Sequence, residues 1–405
     1  MSTLDTSTLV TNQPGYGNHA AEKELAAAGK VHLAQVPRGM RIWVVTAGVE
    51  EVKDLLTHEL LSKDSDLLKS VIRAQLAETG QDAEEVELSG MFGRSMMYSD
   101  NEDHSRLRGL VQKSFTPSQV NRLKPLVERL TGELLASLPP EVPLDLVSEF
   151  TYKLPITVIC EVLGLPVEDR EQVHEWTSAL VLDDPERTMP ASRAMETYLE
   201  QQIARVRQTP DDGLICSLVN ASVDGDMLTA DELMAQLFLL VVGGHETTSG
   251  LIANTMYALL VQSERWRSVV ADPALARAAV DETLRYDAPT RNTTHRVTLA
   301  PMSIGDTVVP KNAIVMASLS AAGRDAGSTA DRPDEFDLHR ADRRHLAFGH
   351  GPHNCLGRNL ALLQAVAAVT GLAARFPNAR LLDTTPPRMD ASIVGGVAKL
   401  PVMLQ

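Results

Sequence analysis

Cys355 is the residue whose neighbours most constrain what it does. It lies in His345-Leu346-Ala347-Phe348-Gly349-His350-Gly351-Pro352-His353-Asn354-Cys355-Leu356-Gly357-Arg358, a glycine-studded loop that runs into an apolar helix. A lone cysteine is ordinarily a small hydrophobe in a core. Here Gly349, Gly351 and Gly357 permit tight turns and a close approach of backbone to a flat ligand. The start of the next helix aims N–H dipoles back at the sulfur, which favours the thiolate. A thiolate held in that way suits iron.

A second set of chemical residues sits far upstream, in Gly243-Gly244-His245-Glu246-Thr247-Thr248. An ionisable group beside a hydroxyl is the arrangement that a proton relay needs. Two glycines inside a helical pattern cost about 1 kcal/mol each relative to alanine, so something must offset them. Thr247 can bond back to the carbonyl of Gly243, loosening the helix and making room for a ligand or water. Two further pairs have helical spacing: His104 with Arg108 at i, i+4, and Glu282 with Arg285 at i, i+3. Taken alone, both pairs read as solvated surface.

The elements that must hold these residues follow from pattern. Thr229 and Glu232 form a capping box, and the apolar run behind it predicts a helix to about Gln262, roughly 50 Å long. Other helices are predicted at Ala21 to Ala28, Val49 to Leu56, Pro117 to Leu138, Leu144 to Leu165, Ala274 to Tyr286 and Leu356 to Phe376. Two more span Asp169 to Gln208, broken around Asp183-Asp184-Pro185 and Thr188-Met189-Pro190. Arg41 to Val45 reads as a strand, 303–316 as a hairpin turning at Pro310-Lys311-Asn312, and 378–405 as short strands around Ile393 to Gly396. Residues 62–100 read as less regular, with Met91, Phe92, Met96 and Met97 clustered around Gly90 and Gly93.

Composition bounds the rest. The 405 residues are 44% hydrophobic and carry a formal charge of −15, from 38 basic and 53 acidic side chains. Such a surface repels nucleic acid and anionic membrane, so neither is expected as a partner. Cys160, Cys216 and Cys355 are far apart and odd in number, which implies no disulfide framework or zinc cluster and predicts a reducing compartment, the cytoplasm. The first residues show no basic stretch followed by an apolar core, so no signal peptide or membrane anchor is expected.

The run Phe-Gly-x-Gly-x-His-x-Cys-x-Gly, Phe348 to Gly357, resembles the haem-ligand loop of the cytochrome P-450 family. The resemblance extends from about Arg41 to the C-terminus through His104-x-x-x-Arg108, Gly243-Gly244-x-Glu246-Thr247 and Glu282-x-x-Arg285 in the same order. It implies a single mainly α domain over 1–405 with a small β-rich part, shaped like a triangular prism, with residues 1–20 loosely ordered. Haem b would lie between the long central helix and the cysteine-loop helix, with Cys355 as axial thiolate. That ligand pushes electron density onto iron and favours O–O cleavage.

By the same resemblance His104, Arg108, Arg296 and His353 bind haem propionates, while Gly243, Phe348, Gly349 and Gly357 shape the haem site. Glu246 and Thr247 deliver protons, and Glu282 and Arg285 form a structural ion pair joined by Arg332 or Arg340, of which Arg340 is the better match. A mostly apolar pocket is expected from Phe92, Met96, Leu182, Val241, Gly244, Thr290, Asn292 and Ile393. The implied reaction is insertion of one oxygen atom of dioxygen into a lipophilic small molecule, by hydroxylation or epoxidation. Macrolides, polyketides, terpenoids and steroid-like metabolites are the implied substrates, as in antibiotic biosynthesis.

Electrons would come from NAD(P)H through a reductase and a ferredoxin, docked by Arg106, Lys113, Arg343, Arg344 and Arg358 on a monomer. Oxidative coupling or rearrangement is compatible with every motif. A peroxygenase would replace the Glu246-Thr247 pair, and a haem-based sensor or carrier would not need it.

Overall fold

The computed structural model describes residues 19–35, 40–80, 87–182, 186–223, 226–327, 331–389 and 391–405. The loosely ordered segment expected at the N-terminus lies outside them except for its last two residues, as does the break at Asp183-Asp184-Pro185. The first part carries α1 (His19–Ala28), β1 (Val31–Gln35), β2 (Arg41–Val45), α2 (Val49–Leu56), β3 (Leu61–Ser62) and α3 (Ser65–Glu78). Then come α4 (Asn101–Gln112), α5 (Pro117–Ser137), β4 (Pro143–Asp145), α6 (Lys153–Leu163), α7 (Arg170–Val181), α8 (Thr188–Gln208) and α9 (Leu214–Val219). A small hairpin, β5 (Ser222–Val223) and β6 (Asp226–Met227), leads into α10 (Ala230–Leu260). The last part holds α11 (Ser263–Ala271), α12 (Leu275–Tyr286), β7 (Arg296–Thr298), β8 (Met302–Ile304), β9 (Thr307–Val309) and β10 (Ile314–Ala317). It ends with α13 (Leu319–Gly323), α14 (Arg358–Arg375), β11 (Arg380–Leu381) and β12 (Pro401–Met403).

The fold is mainly helical with small sheets, as the sequence implied. Helix α10 is apolar on nearly every face and therefore lies inside, packed by α6, α7, α12 and α14. Its start is closed by Thr229, whose hydroxyl accepts from the Glu232 N–H at 3.2 Å, while Glu232 accepts from the Thr229 N–H at 3.0 Å. A five-stranded sheet, in the order β1-β2-β10-β7-β3, stands beside this helical core. The β2–β10 pair is parallel, with Ile42 opposite Ile314, and its neighbours are antiparallel. Pairing of Ser62 with Val297 brings the end of β3 against the start of β7.

Four expectations need correction. Residues 65–78 form a regular helix: Asp64 accepts from the Leu67 N–H, and Leu68, Val71, Ile72 and Leu76 supply its buried stripe. The helix expected from Leu144 starts later: Pro143–Asp145 pair with the C-terminal strand, Asp145 accepts from the Val147 and Leu400 N–H groups, and Val147–Thr151 form a π-helical turn that leads into α6. Pro190 does not break a helix but occupies the first turn of α8, where its missing N–H costs little. The hairpin of β8 and β9 turns at Gly305, with φ of +56°, and β10 leaves it to pair with β2. Among the described residues no helix is long and apolar enough to cross a membrane.

Candidate active site

The cysteine loop is held by its own backbone. Gly349 N–H donates to the Leu346 carbonyl and Cys355 N–H to the Phe348 carbonyl, both at 2.7 Å. Gly349 and Gly351 take φ of +71° and +73°, which other residues rarely adopt, and a Cβ on Gly351 would fall 2.6 Å from Thr57. The N–H groups of Gly357 and Arg358 reach the Cys355 sulfur. Burial nonetheless pushes the thiol pKa up, against these N–H groups and the Arg108 and Arg358 charges. The N–H groups and the two charges work toward the thiolate and burial against it, so a cation bound at sulfur would favour that form.

Cys355 is accessible although it lies deep in the protein. Helix α10 shows the same signature: in the middle of a mostly enclosed helix, Leu239, Gly243 and Thr247 at i, i+4, i+8 retain exposure, and so does Gly244. Nothing but Leu239 comes within 4 Å of a Cβ built on Gly243. That stripe therefore borders an internal space. Gly244 has a different reason to be glycine, since its Cβ would meet Ile159 of α6 at 2.6 Å. It permits helix packing in that direction, while the residue itself keeps partial exposure beside Gly243.

A cluster of cations surrounds the end of β7. Lys63 donates to the Thr294 hydroxyl and lies 5.0 Å from the centre of the Tyr98 ring, and Arg296 donates only to the Thr294 carbonyl at 3.3 Å. Arg108 donates to Asn354 at 2.7 Å. His104 packs on His353 with ring centroids 4.1 Å apart, and His104 Nε2 is buried with no hydrogen-bond partner. Asp100 is the nearby acid, and it spends its oxygens on the Ser62 hydroxyl and Lys63 N–H.

Among the described residues no carboxylate lies within ion-pair distance of Lys63, Arg108 or Arg296. The proton affinities record the same deficit. Burial, then the Arg296 charge, holds Lys63 well below its ordinary value. Burial lowers Arg296 to about 10 and also lowers Arg108, His104 and His353. A compact anionic group is what this cluster lacks, and the two carboxylates of a haem fit it. Lys63 was missed in the sequence because nothing local marks a lysine after a two-residue strand as buried.

On the other side, the Glu246 carboxylate turns toward α7, accepting from the Ser178 hydroxyl at 2.8 Å with His174 and His245 beside it. Burial alone would raise its pKa, but the two imidazoles outweigh burial and hold it well below the usual carboxylate range. Thr247 Oγ1 lies 3.5 Å from the Gly243 carbonyl, too long to hold the hydroxyl firmly, and α10 continues through this point without a break.

The remaining sequence-derived positions divide. Thr290, Asn292 and Ile393 come together, since Thr290 bridges Val394 and Asn292 donates to the Ser392 carbonyl at 2.7 Å. Phe92 packs on Tyr98 and His295, and Met96 N–H donates to Gln236 of α10. Leu182 is exposed at the end of α7, and Val241 is wholly enclosed, so it packs the core and lines no open space. Glu282 binds Arg285 in a two-point pair at 2.8 and 3.0 Å and Arg340 at 3.0 Å, whereas Arg332 pairs with Glu335 at the surface. Of the residues expected to dock a ferredoxin, Arg106 is paired with Glu232, Arg344 with Asp342, and Arg343 donates to the Leu338 carbonyl. Lys113 and Arg358 stay exposed.

Residues 268–402 match the family model described as Cytochrome P450. The chain is 40% identical over 367 residues to Cytochrome P450 107B1 of Saccharopolyspora erythraea, covering 90% of this chain and 89% of that protein. It is 36% identical over 392 residues to a Vitamin D(3) 25-hydroxylase of Pseudonocardia autotrophica, covering 95% and 93%. Its fold is similar to that of the tirandamycin C-bound P450 monooxygenase TamI, with a TM-score of 0.88 and 36% identity over 96% of this chain and 97% of that one.

Proposed function

The chain belongs to the cytochrome P450 monooxygenases, and from that premise we propose that Cys355 ligates the haem iron and that the substrate is a lipophilic small molecule. The observation that carries this reading is the cluster of Lys63, His104, Arg108, Arg296 and His353, cationic or cation-capable groups without a matching carboxylate beside the cysteine loop. Bound there, haem b supplies activation of dioxygen, with one oxygen atom entering a C–H bond or alkene and the other leaving as water.

The chain's own residues do the rest. Lys63, His104, Arg108, Arg296 and His353 neutralise the propionates, and a dianion in turn restores the cations' ordinary proton affinity. The glycine loop lets the backbone lie close to the ring, while Gly243 keeps a side chain out of the space. The Thr247 hydroxyl is only weakly tied to the Gly243 carbonyl, so it can turn and present a proton, and Glu246 one residue earlier, ionised at rest, can resupply it after first taking up a proton from the solvent side. Phe92, Met96, Thr290, Asn292 and Ile393 receive the substrate on apolar surface with few polar anchors. Vitamin D(3) and tirandamycin, named for two similar proteins, support a lipid or polyketide-like secondary metabolite as substrate.

Electrons from NAD(P)H arrive through a ferredoxin reductase and a ferredoxin that meets Lys113 and Arg358. The three cysteines are free, which fits the cytoplasm. Reduction of the purified protein under carbon monoxide tests the ligand. The strongly red-shifted band of a thiolate-bound haem is expected, and Cys355→His should abolish it. A wild-type spectrum like that of a histidine-ligated globin would overturn the assignment.

A further inference from the structure

Where α7 meets α10, Glu246 lies between two imidazoles, each at a distance that a shared metal ion would also give. His174 Nδ1 and His245 Nε2 are each 3.3 Å from Glu246 Oε1, and ligand atoms of all three side chains fall within 4.8 Å of one another. Zinc bonds of about 2.0–2.2 Å give a ligand tetrahedron with edges of roughly 3.3–3.6 Å. Both edges to the carboxylate match that length, and both are longer than the ~2.9 Å of an ordinary N–H···O bond.

The ring orientations agree. His245 Nδ1 faces the Val241 carbonyl at 3.1 Å, and a carbonyl only accepts. Nδ1 therefore carries a proton, and Nε2, which faces Glu246 and the Thr177 hydroxyl 2.9 Å away, is the atom a metal ion would take. Donation of the second N–H to a backbone carbonyl is the usual support of a metal-bound histidine. His174 Nδ1 is a buried atom with no hydrogen-bond partner, and stacking on Tyr152, with centroids 4.1 Å apart, fixes its ring plane. Ser178 steadies the carboxylate from outside at 2.8 Å. The His245 and Glu246 side chains are 0% and 9% exposed and His174 is 25% exposed, so the group is internal with a way in at one ligand.

We propose that His174, His245 and Glu246 form a binding site for a divalent transition metal of the zinc type, completed by the Thr177 hydroxyl or a water. Two nitrogens and one oxygen favour zinc over calcium or magnesium, which take oxygen sets. The ion ties α7 to α10 and withdraws Glu246 from proton supply, a consequence that rests on the function proposed for that residue.

Tag-free, haem-loaded protein dialysed against buffered zinc should hold one zinc ion more per chain than His174→Asn or His174→Gln, whose affinity for it falls at least about 100-fold. His174→Cys returns a ligand at the same place and should restore it. Zinc should raise the unfolding temperature of the wild type and of His174→Cys but not of the two deletions. Equal zinc in wild type and deletions, each with full haem, overturns the site. Zinc should also slow wild-type turnover, reversibly on adding chelator, and leave His174→Asn insensitive; stoichiometric zinc with unaltered turnover overturns the link to Glu246. The carbon monoxide band, read on the same samples without zinc, judges the haem-thiolate assignment separately.

Discussion

Two groups of buried charges in this protein have opposite character. Around Glu282 every charge is answered inside the chain. Arg285 spends its donors on Glu282 and on the carbonyls of Gly323, Pro333 and Glu335, and Arg340 on Glu282 and the carbonyls of Asp331, Arg332 and Glu335. Around β7, by contrast, Lys63, Arg108, Arg296 and two histidines converge with Asp100 as the near acid, and burial depresses the proton affinity of each. A closed network of the first kind specifies a fold. An open one of the second kind costs stability until an anion fills it, the condition that a binding site for an anion meets.

The largest effect should come from breaking the closed network. Glu282→Gln leaves two buried guanidinium groups without their anion and should destabilise the protein by about 3–5 kcal/mol, read from urea unfolding. Unchanged stability would remove the distinction between the two groups.

At the open network the sign should reverse. Lys63→Met removes an uncompensated buried cation, so the haem-free chain should unfold at a higher temperature than the wild type. The same change removes one charge-assisted bond to haem, worth about 1.5–3 kcal/mol, so haem should transfer to an acceptor protein roughly 10–100-fold faster. A less stable haem-free variant would show that Lys63 is already satisfied within the chain.

Acid should sharpen the contrast. Burial, helped by Lys63, lowers the His295 pKa to about 4, and burial with Arg358 does the same for His345. An unfolded imidazole titrates near 6.5, so between about pH 6.5 and 4 the unfolded chain binds more protons than the folded one. Stability is therefore present above that window and lost as the pH falls through it. The urea midpoint of the haem-free protein should fall as pH is lowered from 7 to 5, and fall less in Lys63→Met, which relieves His295 but not His345; an equal fall would count against a locally weak cation cluster.

The smallest effect on stability, and the most specific on chemistry, belongs to Thr247→Ala. Its hydroxyl makes one long bond, so unfolding should shift by less than about 0.5 kcal/mol. Haem content and NAD(P)H consumption should persist while much of the electron flow ends as hydrogen peroxide, measured as product per NAD(P)H. Full coupling would return Thr247 to a packing role, unless a substrate analogue without hydroxyl groups restores the loss.

Some features follow from neighbours along the chain alone. The turns of the cysteine loop follow from Gly349 and Gly351, the start of α10 from Thr229 and Glu232, and the apolar character of α10 from its own residues. The stripe of α3 was equally local and went unread among the irregular residues around it. Only the tertiary structure decided which charges meet. Lys63 is a site residue because β3 pairs with β7 and brings it to Thr294, 231 residues away. Gly243 and Gly244 are indistinguishable in sequence, yet a side chain on the first would enter open space and one on the second would strike Ile159. Glu246 acquires its imidazole neighbour His174 from α7. Backbone conformation and capping act over a few residues, whereas burial and electrostatic pairing depend on which distant segments approach, and no local pattern carries that information.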